Sequence, residues 1–101
     1  MNCDLSAEDA LLVVSLSGRF TAVDTPMFRK VIEDLPLDGK SGVVFDLQGL
    51  QFVDSAALGL LVLARDSVND RGLAMSIRRL QGHVKKTFEL FHFDQLFTIQ
   101  P

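Results

Sequence analysis

Between Val43 and Arg65 an apolar strand, a short polar turn and an almost wholly apolar helix follow one another without interruption. Val43-Val44-Phe45 and Leu47 read as a strand covered on both faces, broken only by Asp46. The helix is expected from Ser55 to about Val68 and is closed by Gly72. Such a unit cannot stand alone. Both apolar elements need covering, so they demand an α/β core around them.

The flanking segments supply that core. Asn2–Leu5 and Ala10–Leu16 read as strands that can form a hairpin, the second ended by Gly18. Thr25 is the expected N-cap of a first helix, with Pro26 at its first position. Phe28, Val31, Ile32 and Leu35 then form one apolar stripe, and Pro36 closes the helix. Leu73–Arg78 is a further strand. A third helix, from about His83 to Phe91, carries Val84, Phe88 and Phe91 on one face. Leu96–Ile99 is a last short strand or extended segment. The order β-β-α-β-α-β-α-β implies one domain over residues 1–101. Its fold class is α/β: an open mixed sheet, an N-terminal hairpin plus parallel β-α-β units, with helices mainly on one face.

Charge and cysteine usage narrow the partners. A net charge of −3 argues against nucleic acid, whose phosphates demand a basic surface, and against an anionic membrane. Cys3 is the only cysteine, which suits a reducing compartment. No basic start followed by an apolar run marks a signal peptide, and Ala56–Ala64 is too short to span a bilayer. A cytoplasmic protein is expected.

Asp54-Ser55 is the main chemical candidate. Both residue types satisfy free N–H groups at a helix start, so the pair suits a plain cap. The same position suits an exposed hydroxyl awaiting a phosphoryl group, and a cap can also be a switch. Asp46, an expensive charge in an apolar strand, is expected to accept backbone N–H bonds from a nearby loop and to brace the Asp54 turn. Gly59 costs helix stability. Close packing against a neighbour is its expected reason; room for a partner beside Ser55 is the other. Met27 is a candidate exposed contact. Phe20, Phe52 and Phe97 are expected in the core. Arg78-Arg79 and Lys85-Lys86 are expected on a solvated face. No metal set, nucleophile elbow or phosphate-cradling loop emerges: His83 and His92 are poorly spaced, and Gly39-Lys40-Ser41-Gly42 precedes a strand. Catalytic, cofactor and metal residues are therefore expected to be absent.

At these residues the chain resembles the STAS domains, the family of bacterial anti-sigma factor antagonists. The likeness rests on Val43-Val44-Phe45-Asp46-Leu47, Phe52-Val53-Asp54-Ser55 and Leu58-Gly59-Leu60-Leu61. It extends to Leu16-Ser17-Gly18-Arg19-Phe20 and Phe93-Asp94-Gln95-Leu96-Phe97. The resemblance implies a phosphorylation-switched binding module, not an enzyme. Ser55 would be phosphorylated by an anti-sigma factor or serine kinase of the histidine-kinase-like ATPase fold. Asp54 and Asp46 would support the switch loop, and Ala56, Ala57, Leu58, Gly59 and Met27 would contact the partner. A PP2C-type phosphatase would restore the free serine. ATP would belong to the kinase, leaving this chain without a cofactor. The alternative it implies is a STAS adaptor without phosphorylation, for example in an ABC-type lipid transport system. Family members often carry Ser or Thr and then Gly after the switch serine; Ala56-Ala57 stands here, so Ser55 is the only hydroxyl of the motif. Thr21-Ala22-Val23 also lacks the acidic residue common after the second-strand glycine.

Overall fold

A computed structural model describes residues 1–100. The chain begins with β1 (Asn2–Glu8) and β2 (Leu11–Phe20), then runs through α1 (Thr25–Glu33), β3 (Gly42–Val53) and α2 (Ser55–Asp70). It ends with β4 (Met75–Arg78), α3 (Gly82–Leu90) and β5 (Thr98–Ile99). Single 3-10 turns lie at Ala22–Asp24 and Phe93–Leu96. The strands lie side by side in the order β1-β2-β3-β4-β5. β1 is antiparallel to β2, and every other neighbouring pair is parallel. This is the mixed sheet the sequence implies.

Alternation along the strands decides the two faces. Leu12, Val14 and Leu16 of β2, Val43, Phe45 and Leu47 of β3, and Met75 and Ile77 of β4 share one core with all three helices. Phe28 and Ile32 enter it from α1, Ala57, Leu58, Leu61, Ala64 and Val68 from α2, and Val84 and Phe88 from α3. A row of rings links the layers: Phe20 to Phe28 at 4.7 Å and Phe28 to Phe45 at 6.3 Å between centroids. Burying each ring stabilises the fold by roughly 1.5–3 kcal/mol. The helices thus lie on one face. Val13, Ser15, Val44, Asp46, Ser76 and Arg78 point to the other.

Several elements differ from the local reading. Gln48–Val53 is strand rather than turn: β3 continues beside Ser17–Phe20 of β2 through two register shifts. Gly49 permits this close approach, since a Cβ there would stand 2.7 Å from Ser17 Cβ. Gly18 does not end β2; it sits inside it at φ +85, beside one of those shifts. Thr25 is the first helical residue and not the cap, because the 3-10 turn abuts α1 directly. Its hydroxyl donates to Ala22 O at 2.6 Å. Phe91 follows α3 as its C-cap and is exposed.

Candidate functional site

β3 delivers the chain to α2 through one extended residue, Asp54 (φ −104, ψ −179). Its carboxylate serves two elements. Oδ1 accepts the Ala57 N–H at 2.8 Å, capping α2. Oδ2 accepts the Ala22 N–H at 3.0 Å, tying down the 3-10 turn that leads into α1. The backbone N–H of Asp54 donates to Phe20 O at 3.3 Å. Asp54 therefore sets the geometry of the turn, as its residue type and place suggest.

Ser55 is the first residue of α2 and is exposed. Beneath it, Ala57, Leu58 and Leu61 are at most 1% exposed and anchor the helix to the sheet. Ala56 and Gly59 are exposed on the outer side. A Cβ on Gly59 would meet nothing within 4 Å, so close packing does not account for this glycine. Ala57 and Leu58 face the core and offer nothing to a partner. The docking candidates reduce to Ser55, Ala56 and Gly59, with Met27 exposed on adjoining α1. Val23, 85% exposed, joins them in the turn held by Asp54. The sequence reading missed Val23. An apolar residue beside a helix-starting Asp-Thr-Pro was the available signal.

Phe52 is half-buried and lies outside the main core cluster. The Arg19 guanidinium lies 4.3 Å from its ring centroid, and the His83 ring stacks on it at 5.3 Å and 7°. Phe20 and Phe97 are buried as expected.

Asp46 lies elsewhere and does not bond to the Asp54 turn. It is 6% exposed, on the sheet face without helices. Oδ1 accepts the Gln48 N–H at 3.0 Å, and Oδ2 accepts Arg78 Nε at 3.0 Å and Arg79 Nη1 at 3.1 Å. Arg78 also grips Glu8 with two bonds, at 3.0 and 2.7 Å. That hydrogen-bonded pairing holds the Glu8 carboxyl below its ordinary value and raises Arg78. Arg78 is thus a tie across the sheet rather than a solvated charge. A buried carboxylate needs such partners.

The site offers an exposed hydroxyl at a helix N-terminus beside one fixed carboxylate. Backbone N–H groups and the helix dipole there favour an anionic substituent. The exposed residues next to it on the helix, Ala56 and Gly59, are small. An open mixed sheet with helices on one face and a capped Asp-Ser helix start defines a STAS-type domain. The chain belongs to that family: residues 3–100 match the family described as "Mlab, STAS domain".

Named relatives agree. A STAS-domain-containing protein of Pseudomonas aeruginosa is 32% identical over 93% of this chain and 92% of its own length. An anti-sigma-B factor antagonist of Staphylococcus aureus is 21% identical, over 89% of this chain and 83% of its own. The fold matches the crystal structure of an anti-sigma factor antagonist from Mycobacterium paratuberculosis, with a TM-score of 0.80 and 21% identity. That match covers 99% of this chain and 85% of the other. It also matches the anti-sigma factor antagonist SpoIIAA in its unphosphorylated form, with a TM-score of 0.72 and 14% identity over 99% and 88% of the two chains. Among the described residues no helix is long and apolar enough to cross a membrane.

Proposed function

We propose that this chain is an anti-sigma factor antagonist whose docking is switched by phosphorylation of Ser55 Oγ. One observation carries the reading: Ser55 is exposed at a capped helix start, with Ala56 and Gly59 exposed on the same helix and Val23 and Met27 exposed on the adjoining turn and α1. In the unmodified state this patch docks on an anti-sigma factor that is also a serine kinase of the histidine-kinase-like ATPase fold. The kinase brings ATP. Ser55 Oγ attacks the γ-phosphorus, the bond to ADP breaks, and the hydroxyl proton passes to the kinase. A PP2C-type phosphatase returns the hydroxyl by hydrolysis. The chain itself supplies no cofactor and no catalytic group, and it works in the cytoplasm.

The new group carries a charge of about −1.5 to −2. Alone, it is tolerated at the helix N-terminus. Under a partner, beside Asp54, it adds repulsion and a desolvation cost. Reversing occupancy from about 99:1 to 1:99 needs roughly 5.5 kcal/mol of differential affinity.

The test is incubation with the captured kinase and ATP, followed by intact-mass measurement and titration. The chain should gain one phosphoryl group, and Ser55→Ala should gain none while keeping its affinity. Ser55→Asp should bind at least about tenfold more weakly, about 1.4 kcal/mol. An unchanged mass, or equal affinity for Ser55→Asp and wild type, refutes the switch. A second reading is a STAS adaptor without phosphorylation, as in an ABC-type lipid transport system, in which the same exposed patch docks a partner and Ser55 stays unmodified. Affinity capture from lysate separates the two: a transporter ATPase held equally by wild type and Ser55→Asp supports the adaptor.

A further inference from the structure

Among the described residues, the outer edge of β1 has no strand beside it, because β1 stands at one end of the sheet. Its pairing with β2 runs without a shift from Asn2↔Ser17 to Glu8↔Leu11. The strand therefore has no bulge, and it contains neither proline nor lysine. Those are usual guards of a free edge; the charges β1 does carry, Asp4 and Glu8, lie on the face away from the helices, and Glu8 is held by Arg78. Leu5, at its centre, is 46% exposed. A groove of about 400 Å³ runs beside it, lined by Leu5, Ala7, Leu12, Pro36 and Lys40 among others.

We infer that this edge pairs with a second copy of the chain, β1 against β1, in one register. Opposite residues of an antiparallel pair share both a face and a hydrogen-bonding phase. Only registers that match odd with odd and even with even positions qualify. Centred on Asp4, the two aspartates meet. Centred on Ser6, Asp4 meets the partner's Glu8. Like charges directly opposite destabilise a sheet. Centred on Cys3 or Ala7, only three residues of each strand would pair; centred on Leu5, the whole of Asn2–Glu8 pairs and every pair is compatible. Leu5 meets the partner's Leu5, Cys3 the partner's Ala7, Asp4 the partner's Ser6 and Asn2 the partner's Glu8. Cys3, Leu5 and Ala7 pair with Leu16, Val14 and Leu12 of β2, which face the helices, so the apolar row lies on the helix side. The partner's Leu5 then comes to lie over the groove. The two sheets become one continuous sheet. This inference is independent of the role assigned to Ser55.

A single strand pair is a small interface, and dissociation constants from about 10 µM to about 1 mM suit that size. Sedimentation velocity across that range should show reversible dimers of the wild-type chain. Leu5→Lys, which places two cations at the centre, should raise the dissociation constant at least about tenfold. Cross-linking tests the register itself. Opposed Cα atoms in antiparallel strands stand about 4.5–5.5 Å apart, within disulfide reach. Ala7→Cys should form oxidised covalent dimers with the partner's Cys3. Ser6→Cys, on the opposite face from Cys3, should not. Circular dichroism of each variant checks that it folds; should Leu5→Lys fail, the cysteine pair decides. A wild-type chain monomeric at about 1 mM overturns the inference. So does equal cross-linking of Ala7→Cys and Ser6→Cys, or none of Ala7→Cys.

Discussion

Replacing Asp54 by alanine removes two bonds that join different elements. Oδ1 holds the Ala57 N–H at 2.8 Å and Oδ2 the Ala22 N–H at 3.0 Å. Loss of an aspartate cap costs about 1 kcal/mol. The bond to Ala22 is exposed, so water replaces part of it, and its net loss is about 1 kcal/mol. Asp54→Ala should therefore lose about 2 kcal/mol. In a domain of this size that lowers Tm by roughly 8–16 °C. Asp54→Asn discriminates. Its carbonyl oxygen keeps the cap, since Asn caps as well as Asp. Its amide nitrogen then faces the Ala22 N–H, donor against donor, so about half the loss should appear. Thermal and urea unfolding measure the totals. Hydrogen exchange locates them: in Asp54→Asn the Ala22 amide should exchange faster while Ala57 stays protected. Asp54→Ala within about 0.5 kcal/mol of wild type, or Asn as damaging as Ala, would refute the double tether.

Other substitutions probe single features. Gly59→Ala should stabilise the chain by about 1 kcal/mol in urea unfolding, because its Cβ enters open space within a helix. Gly59→Arg should fold normally yet block partner capture, since the side chain would cover the patch beside Ser55. Gly49→Ala should destabilise by about 1–3 kcal/mol, because its Cβ would stand 2.7 Å from Ser17 Cβ and 3.1 Å from Leu16 O. The Glu8 carboxyl titrates below its ordinary value when folded. Its contribution is therefore present above that ordinary value and is lost as pH falls through the lowered one. Acid unfolding of Glu8→Gln, compared with wild type, should show a shallower loss of stability across that window.

Local pattern carried much of this fold. The apolar runs at β2 and β3, the stripe Phe28-Ile32-Leu35 and the Asp-Ser helix start each act within a few residues, where period and capping chemistry are readable. Inside α2 the pattern was silent. Nearly every residue from Ala56 to Ala64 is apolar, so no period distinguishes buried Ala57 and Leu58 from exposed Ala56 and Gly59. Gln48–Val53 was equally opaque. Two register shifts against β2 break its regular pairing, and such a shift depends on the neighbouring strand.

The amino-acid sequence alone determined the order of elements, the turn at Asp54-Ser55 and a mixed α/β sheet, because short-range sterics and hydrophobic spacing act along the chain. Only the tertiary structure decided which side of α2 meets solvent. It alone brought Arg78 and Arg79 to Asp46, and Arg19 and His83 to Phe52. Those partners lie far apart in sequence. The interaction of a buried charge or a ring with its neighbours depends on distance in space, which strand pairing sets and local composition does not.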